Sequence, residues 1–209
     1  MHSTEVGKTL IQCDFDGTIT ENDVGFMMLD AYADDDWRQL LAQYREDKIS
    51  VNYFNSHVFG MIKEDTPTLL KCIEGKVKIR TGARELIDYC RKKYFQFVIV
   101  SNGLSFYIKA LLRDIGIENI EVFAAQTRFS PEGLEAWYEG PDGNRLEDGF
   151  KEAYVRLFLR RGYRVVYIGN GISDVSRPSW LITFSLPATC LSIVRRWILV
   201  VSHLLTLMM

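Results

Sequence analysis

Two aspartates, Asp14 and Asp16, end an apolar run in "LIQCDFDGTITEND", residues 10–23, with Gly17 and Thr18 directly behind them. A buried strand end is a costly place for two negative charges unless something positive sits beside them. Similar chemistry recurs after other apolar runs. Ser101, Asn102 and Gly103 follow "FQFVIV", and Gly169, Asn170, Gly171 and Asp174 lie in or after "YRVVYIGNGISD". Carboxylate and amide oxygens without clustered His or Cys suit a hard cation, Mg²⁺ before Ca²⁺ or zinc. Mg²⁺ takes one or two carboxylates and completes its shell with waters and a phosphate oxygen. The glycines thin the backbone where an anion could approach. Ser101 offers a hydroxyl donor, and Lys151, opening a helical run, offers a point charge to the same anion.

Positioning these groups falls to alternating strands and helices. Residues 9–15 read as a buried strand. From Glu21 to Lys78, apolar residues recur at three- and four-residue spacing, which predicts helices, with Asp65-Thr66-Pro67 as a start and Gly75 as a stop. "TGARELIDYCRKKY" predicts a further helix. "FQFVIVSNG" is a strand ending at Ser101, Asn102 and Gly103, and "LSFYIKALLRDIG" is a helix closed by Gly116. "IEVFAA" is a third strand, and turn signals at Pro131, Gly133, Pro141 and Asp142-Gly143 place a small hairpin insertion at 126–147. "FKEAYVRLFLRRG" is a helix, followed by a fourth core strand. This order predicts an α/β fold, a Rossmann-like, doubly wound parallel sheet with a helical cap inserted after the first strand. The expected division is a core of 1–20 and 79–176, a cap of 21–78 and a tail of 177–209. Ligands of such sheets sit outside the carboxyl ends of the strands, the edge where Asp14, Ser101 and Asn170 fall.

"DFDGT" at 14–18, "SNG" at 101–103, Lys151 and "GNGISD" at 169–174 resemble, in order and spacing, the four motifs of the haloacid dehalogenase superfamily. The helical insertion resembles the cap of its phosphoserine-phosphatase-like branch. Within that branch, "DFDGTITENDVG" and "GNGISDV" are most similar to methionine-salvage phosphatases acting on a methylthio-diketopentane phosphate or its enol. The resemblance implies a Mg²⁺-dependent phosphomonoester hydrolase acting on a small phosphorylated metabolite. Asp14 would be the nucleophile that carries an aspartyl-phosphate, and Asp16 the general acid and base. Ser101 and Lys151 would hold the phosphoryl group, with Gly17, Thr18, Asn102 and Gly103 around it. Mg²⁺ would be held by Asp14, Asp16, Asn170 and Asp174. Asp23 would read the substrate at the cap entrance, or would simply cap a helix. Two features depart from the pattern. Asn170 stands where the superfamily often has Asp, and the tail beginning "SRPSWLITF" replaces the charged residues, strand and closing helix that usually follow.

Composition narrows the function classes. Hydrophobic residues are 47% and charged residues 25%, with a net charge of −2, so neither a nucleic-acid partner nor disorder is expected. All 27 acidic residues lie at or before Asp174, and the stretch from Arg177 onward carries three arginines and no Lys. Cys13, Cys72, Cys90 and Cys190 are scattered, which argues against zinc and a disulfide framework. The polar "MHSTEVGKT" does not read as a signal peptide, so a reducing cytoplasm is the expected compartment. "WILVVSHLLTLMM" is shorter than the roughly 20 residues needed to span a bilayer, so no membrane role is expected. A homodimer is compatible with the sequence. Competing readings are a phosphoserine phosphatase, a phospho-acceptor signalling module and an inactive relative whose final elements are altered.

Overall fold

The residues Leu10–Cys13 are apolar except for Gln12 and are buried on both faces, which suits an interior strand of a parallel sheet. The computed structural model describes residues 8–33 and 35–169, and places this strand, β1 (Thr9–Cys13), between two parallel neighbours. The order of elements is β1, α1 (Val24–Tyr32), α2 (Trp37–Arg45), α3 (Val51–Gly60), α4 (Thr66–Ile73), α5 (Ala83–Lys92), β2 (Gln96–Leu104), α6 (Ser105–Asp114), β3 (Glu121–Ser130), β4 (Gly133–Trp137), α7 (Phe150–Arg160) and β5 (Arg164–Ile168). The sheet runs β4-β3-β2-β1-β5. Cys13 pairs with Ile99 on one side and Ile168 on the other, so the carboxyl ends of β1 and β5 and the later half of β2 share one edge. This is the Rossmann-like α/β architecture that the alternation of strands and helices predicts.

β2 carries Ser101, Asn102 and Gly103 at its end, as expected, and runs one residue further to Leu104, with its pairing to β3 shifted between Val100 and Leu104. One strand differs from the sequence expectation. β3 is one strand of 10 residues, because no turn former interrupts Glu121–Ser130 before Pro131. Its first half pairs parallel with β2 and its second half pairs antiparallel with β4, so the hairpin is an extension of the core sheet.

The helices between β1 and β2 start on strong caps. Asp23, Asp36, Ser50 and Asp65 each accept a hydrogen bond from an amide of the first turn of α1, α2, α3 and α4. The chain leaves β1 and returns to the core side by side. Thr20 bridges to Ile79, and the Glu21 amide donates to the Lys78 carbonyl at 2.8 Å. Arg80 locks this neck by donating to the Gly17 and Thr18 carbonyls at 2.6 and 3.2 Å. Helix α3 packs along the β3–β4 hairpin, where the Leu134 amide donates to the Ile62 carbonyl at 2.9 Å. Among the described residues, no helix is long and apolar enough to cross a membrane. Asn170, Gly171, Asp174 and the stretch 177–209 lie outside the described residues.

Candidate active site

Asp14 is the first residue beyond β1, and its amide extends the ladder by donating to the Ile168 carbonyl at 2.8 Å. Its carboxylate is held at both oxygens. Oδ1 accepts from the Phe15 amide at 2.7 Å, and Oδ2 meets Lys151 Nζ at 2.8 Å. The side chains of Lys151 and Asp14 are 3% and 5% exposed, so this pair is almost fully removed from water. Lys151 sits in the first turn of α7, behind Gly149 in the left-handed conformation. Gln12, the polar exception inside β1, reaches that turn and donates its side-chain amide to the Lys151 carbonyl at 2.9 Å. A polar residue in the central strand thus fixes the helix that delivers the cation.

Asp16 faces the same cavity. Its Oδ1 accepts from the Val24 amide at the start of α1, 2.9 Å away, and its Oδ2 accepts from the Tyr107 hydroxyl at 2.6 Å. Burial, followed by the charge of Asp23, pushes the Asp16 carboxyl well above the usual carboxylate range. Burial and then Asp16 likewise push the Tyr107 hydroxyl up, so it remains a donor. Gly103 lies against this pair. A Cβ there would collide with both the Tyr107 hydroxyl and Asp16 Oδ2, so this position excludes any larger residue. Ser101 is buried, and its Oγ accepts from the Gly103 amide at 3.1 Å, which leaves the hydroxyl proton for another acceptor.

Asp14, Asp16, Ser101, Asn102, Gly103 and Lys151 line the floor of one cavity of about 110 Å³. Phe26, Leu29, Tyr44, Phe54 and Phe59, all from the helices between β1 and β2, form an apolar roof. Asp23 does both things its position suggests. It caps α1 through the Phe26 amide at 2.9 Å, and it lines the cavity. Gly17 and Thr18 do not line the cavity, contrary to the expectation that they surround the phosphate. The amides of Thr18, Ile19 and Thr20 all turn back to the Phe15 carbonyl, and this tight turn carries both residues toward the neck. The expected sites Asn170 and Asp174 lie outside the described residues.

Sequence reading missed Tyr107, Asn55, Tyr138 and Arg80. Tyr107 left a signal, because helical side chains tilt toward the N-terminus and a Tyr at the third position of α6 is aimed back at the β2 end. The other three depend on contacts across long sequence separations.

Asp23 gives a prediction for the metal-free protein. Burial raises its carboxyl to about 6 from the ordinary 3.8. The folded state therefore binds more protons than the unfolded chain between these values, and stability falls as pH rises through that window. Asp23→Asn keeps a capping oxygen and removes the charge. Urea unfolding in EDTA should show the variant more stable by about 1–2 kcal/mol at pH 7.5, a gain reduced by the partial exposure of the side chain. The difference should vanish near pH 4, and a difference independent of pH would contradict the assignment.

The chain is similar to known proteins. The family of haloacid dehalogenase-like hydrolases matches residues 11–176. A 2-hydroxy-3-keto-5-methylthiopentenyl-1-phosphate phosphatase of Bacillus pumilus is 24% identical over 172 residues, covering 80% of this chain and 74% of the relative. The bifunctional enzyme MtnB/MtnX of Bacillus licheniformis is 30% identical over 176 residues, 80% of this chain and 40% of that larger protein. Among solved structures, a phospho-aspartyl intermediate analogue of phosphoserine phosphatase superposes with a TM-score of 0.55 at 17% identity, over 78% of each chain. With the family match spanning the site and most of the sheet, the chain belongs to the haloacid dehalogenase-like hydrolases.

Proposed function

We propose that this phosphatase of the haloacid dehalogenase family hydrolyses a small phosphate monoester through a covalent intermediate on Asp14, with the helices α1–α4 acting as its cap. The observation that carries the reading is the floor of the cavity. There a buried carboxylate at the end of β1, paired with Lys151 at 2.8 Å, faces a second carboxylate whose environment favours its protonated form. In the first step an Asp14 oxygen attacks phosphorus, the phosphorus–oxygen ester bond breaks, and Asp16 gives its proton to the departing alkoxide. In the second step Asp16, now ionised, takes a proton from the water that attacks the aspartyl-phosphate, and inorganic phosphate leaves. The Tyr107 hydroxyl and the Val24 amide fix the Asp16 carboxyl throughout. Ser101 donates to a phosphoryl oxygen, and Lys151 holds nucleophile and phosphoryl group together.

The donor chemistry fits Mg²⁺ in kind, since the described residues lining the cavity offer carboxylate, amide and carbonyl oxygens and include no His or Cys. Among the described residues, no group of three or more His, Cys, Asp or Glu forms a complete ligand set. Asp14 and the Asp16 carbonyl would hold the ion, with Asn170 and Asp174 as the remaining candidates. When bound, Mg²⁺ would offset the repulsion between Asp14 and the phosphoryl oxygens.

The substrate reading follows from the roof. Among the described residues, Lys151 is the cation lining the cavity, and it lies on Asp14. A substrate carboxylate would find no charged partner in the apolar roof, whereas a neutral tail would fit it. This favours a neutral-tailed phosphate of the methionine-salvage kind, in keeping with the names of the curated relatives. Asp23 supplies the argument for phosphoserine, because a lining carboxylate could pair with its amine. Turnover of p-nitrophenyl phosphate, phosphoserine and a methylthio-substituted enol phosphate, each with Mg²⁺ and with EDTA, separates these readings. The enol phosphate should be preferred by kcat/KM, and EDTA should abolish turnover. A preference for phosphoserine would overturn the substrate assignment, and undiminished activity in EDTA would overturn the metal requirement.

A further inference from the structure

The peptide between Asn102 and Gly103 is held from both ends. Its N–H, on Gly103, donates to Ser101 Oγ at 3.1 Å. Its carbonyl, on Asn102, accepts from the Tyr138 hydroxyl at 2.5 Å and lies 3.3 Å from Asn55 Nδ2. Asn55 Nδ2 in turn donates to the Tyr138 hydroxyl at 2.5 Å. Three separate parts of the chain thus converge on one peptide: Asn55 from α3, Tyr138 from just beyond β4, and the irregular end of β2. Tyr138 and Asn55 are 2% and 7% exposed, and the bond between them is buried, while their bonds to the Asn102 carbonyl are part-buried at the wall of the cavity. A peptide unit is planar and rigid, so fixing both its carbonyl and its N–H fixes the Cα of Gly103. That Cα is packed against Asp16 Oδ2 and the Tyr107 hydroxyl, with no room for even a methyl group.

We infer that Tyr138 and Asn55 are positioning residues. Through the Asn102 carbonyl they seat Gly103 against Asp16, so that the helical segment and the hairpin jointly set the geometry of the acid. The inference rests on the role proposed for Asp16. A displacement of Gly103 would loosen the wall that holds the Asp16–Tyr107 pair, and small misplacements of a reacting group cost rate steeply.

Tyr138→Phe removes the hydroxyl and keeps the ring packed on Phe150, whose centroid lies 5.0 Å away. With p-nitrophenyl phosphate and Mg²⁺, kcat should fall roughly tenfold with KM within about twofold, and the melting temperature should drop by no more than about 4 °C. Asn55→Ala should behave similarly, and the double variant should be no worse than the poorer single one, because both act on one carbonyl. Asn52→Ala provides the structural control. It breaks another bond from α3, Asn52 Nδ2 to the Leu146 carbonyl at 2.6 Å, without touching the peptide. It should lower the melting temperature and leave kcat unchanged. A kcat for Tyr138→Phe within twofold of wild type, multiplicative losses in the double variant, or an equal loss in Asn52→Ala would each overturn the inference. Amide exchange at Gly103, expected to quicken at least about tenfold in Tyr138→Phe, reads the pinning without turnover. Unchanged exchange there would overturn it even if the phosphatase reading itself failed, a failure shown separately by equal activities of wild type and Asp14→Asn.

Discussion

Asp14→Asn is expected to lower kcat for p-nitrophenyl phosphate by about 10⁴-fold or more, equivalent to about 5 kcal/mol of transition-state stabilisation. An amide oxygen is a poor nucleophile, and among the described residues the other carboxylates lining the cavity are Asp16 and Asp23, the latter engaged in capping α1. Asp16 is tied to the Tyr107 hydroxyl and the Val24 amide on its own side of the cavity. The variant should remain folded but lose about 3–5 kcal/mol, because a neutral amide at position 14 takes the carboxylate away from the almost fully buried Lys151 cation. Circular dichroism establishes the fold and steady-state kinetics the loss. Activity within tenfold of wild type would exclude Asp14 as the nucleophile.

The second large effect concerns stability. Lys151→Met removes the cation from a pair that is almost wholly buried and takes from the Asp14 carboxylate the opposite charge 2.8 Å away. Breaking such a pair from one side costs about 3–5 kcal/mol, much of it the penalty of the stranded charge. Urea unfolding in EDTA should show a loss of that order. Adding Asp14→Asn to Lys151→Met should recover part of it, since the double variant has no stranded charge. A loss below about 1 kcal/mol, or a double variant as weak as the sum of the singles, would show that the pair does not behave as a desolvated unit. Activity should also fall, because Lys151 lines the cavity where the phosphoryl group is proposed to sit.

The legible parts of this protein are those whose physics is local or periodic. Alternating strands and helices put Asp14, Ser101 and Asn170 at one sheet edge, and the structure places the first two there, Asn170 lying outside the described residues. The structure brings Asp14, Asp16, Asp23, Ser101, Asn102, Gly103 and Lys151 into one cavity. The expectation failed where short-range signals met tertiary context. The third strand reads as stopping at Ala125, yet pairing with β4 carries β3 on to Ser130. Gly17 and Thr18 follow the two aspartates in sequence, but the turn on the Phe15 carbonyl directs them away from the cavity. The Tyr138 contacts with Asn55 and Asn102 span 83 and 36 residues, separations at which no periodicity or motif gives a signal. Arg80 belongs to no motif, and only the neck brings it to the Gly17 and Thr18 carbonyls.

The account depends most on a covalent bond between Asp14 and phosphorus. Borohydride reduction of the enzyme quenched during turnover, followed by peptide mass spectrometry, reads that bond directly, because an acyl phosphate is reduced to the alcohol at the carboxylate that carried it. The account predicts conversion of Asp14 to homoserine, dependent on substrate and absent at Asp16 and Asp23. Steady turnover with Asp14 unmodified, or with the modification on another carboxylate, would contradict it.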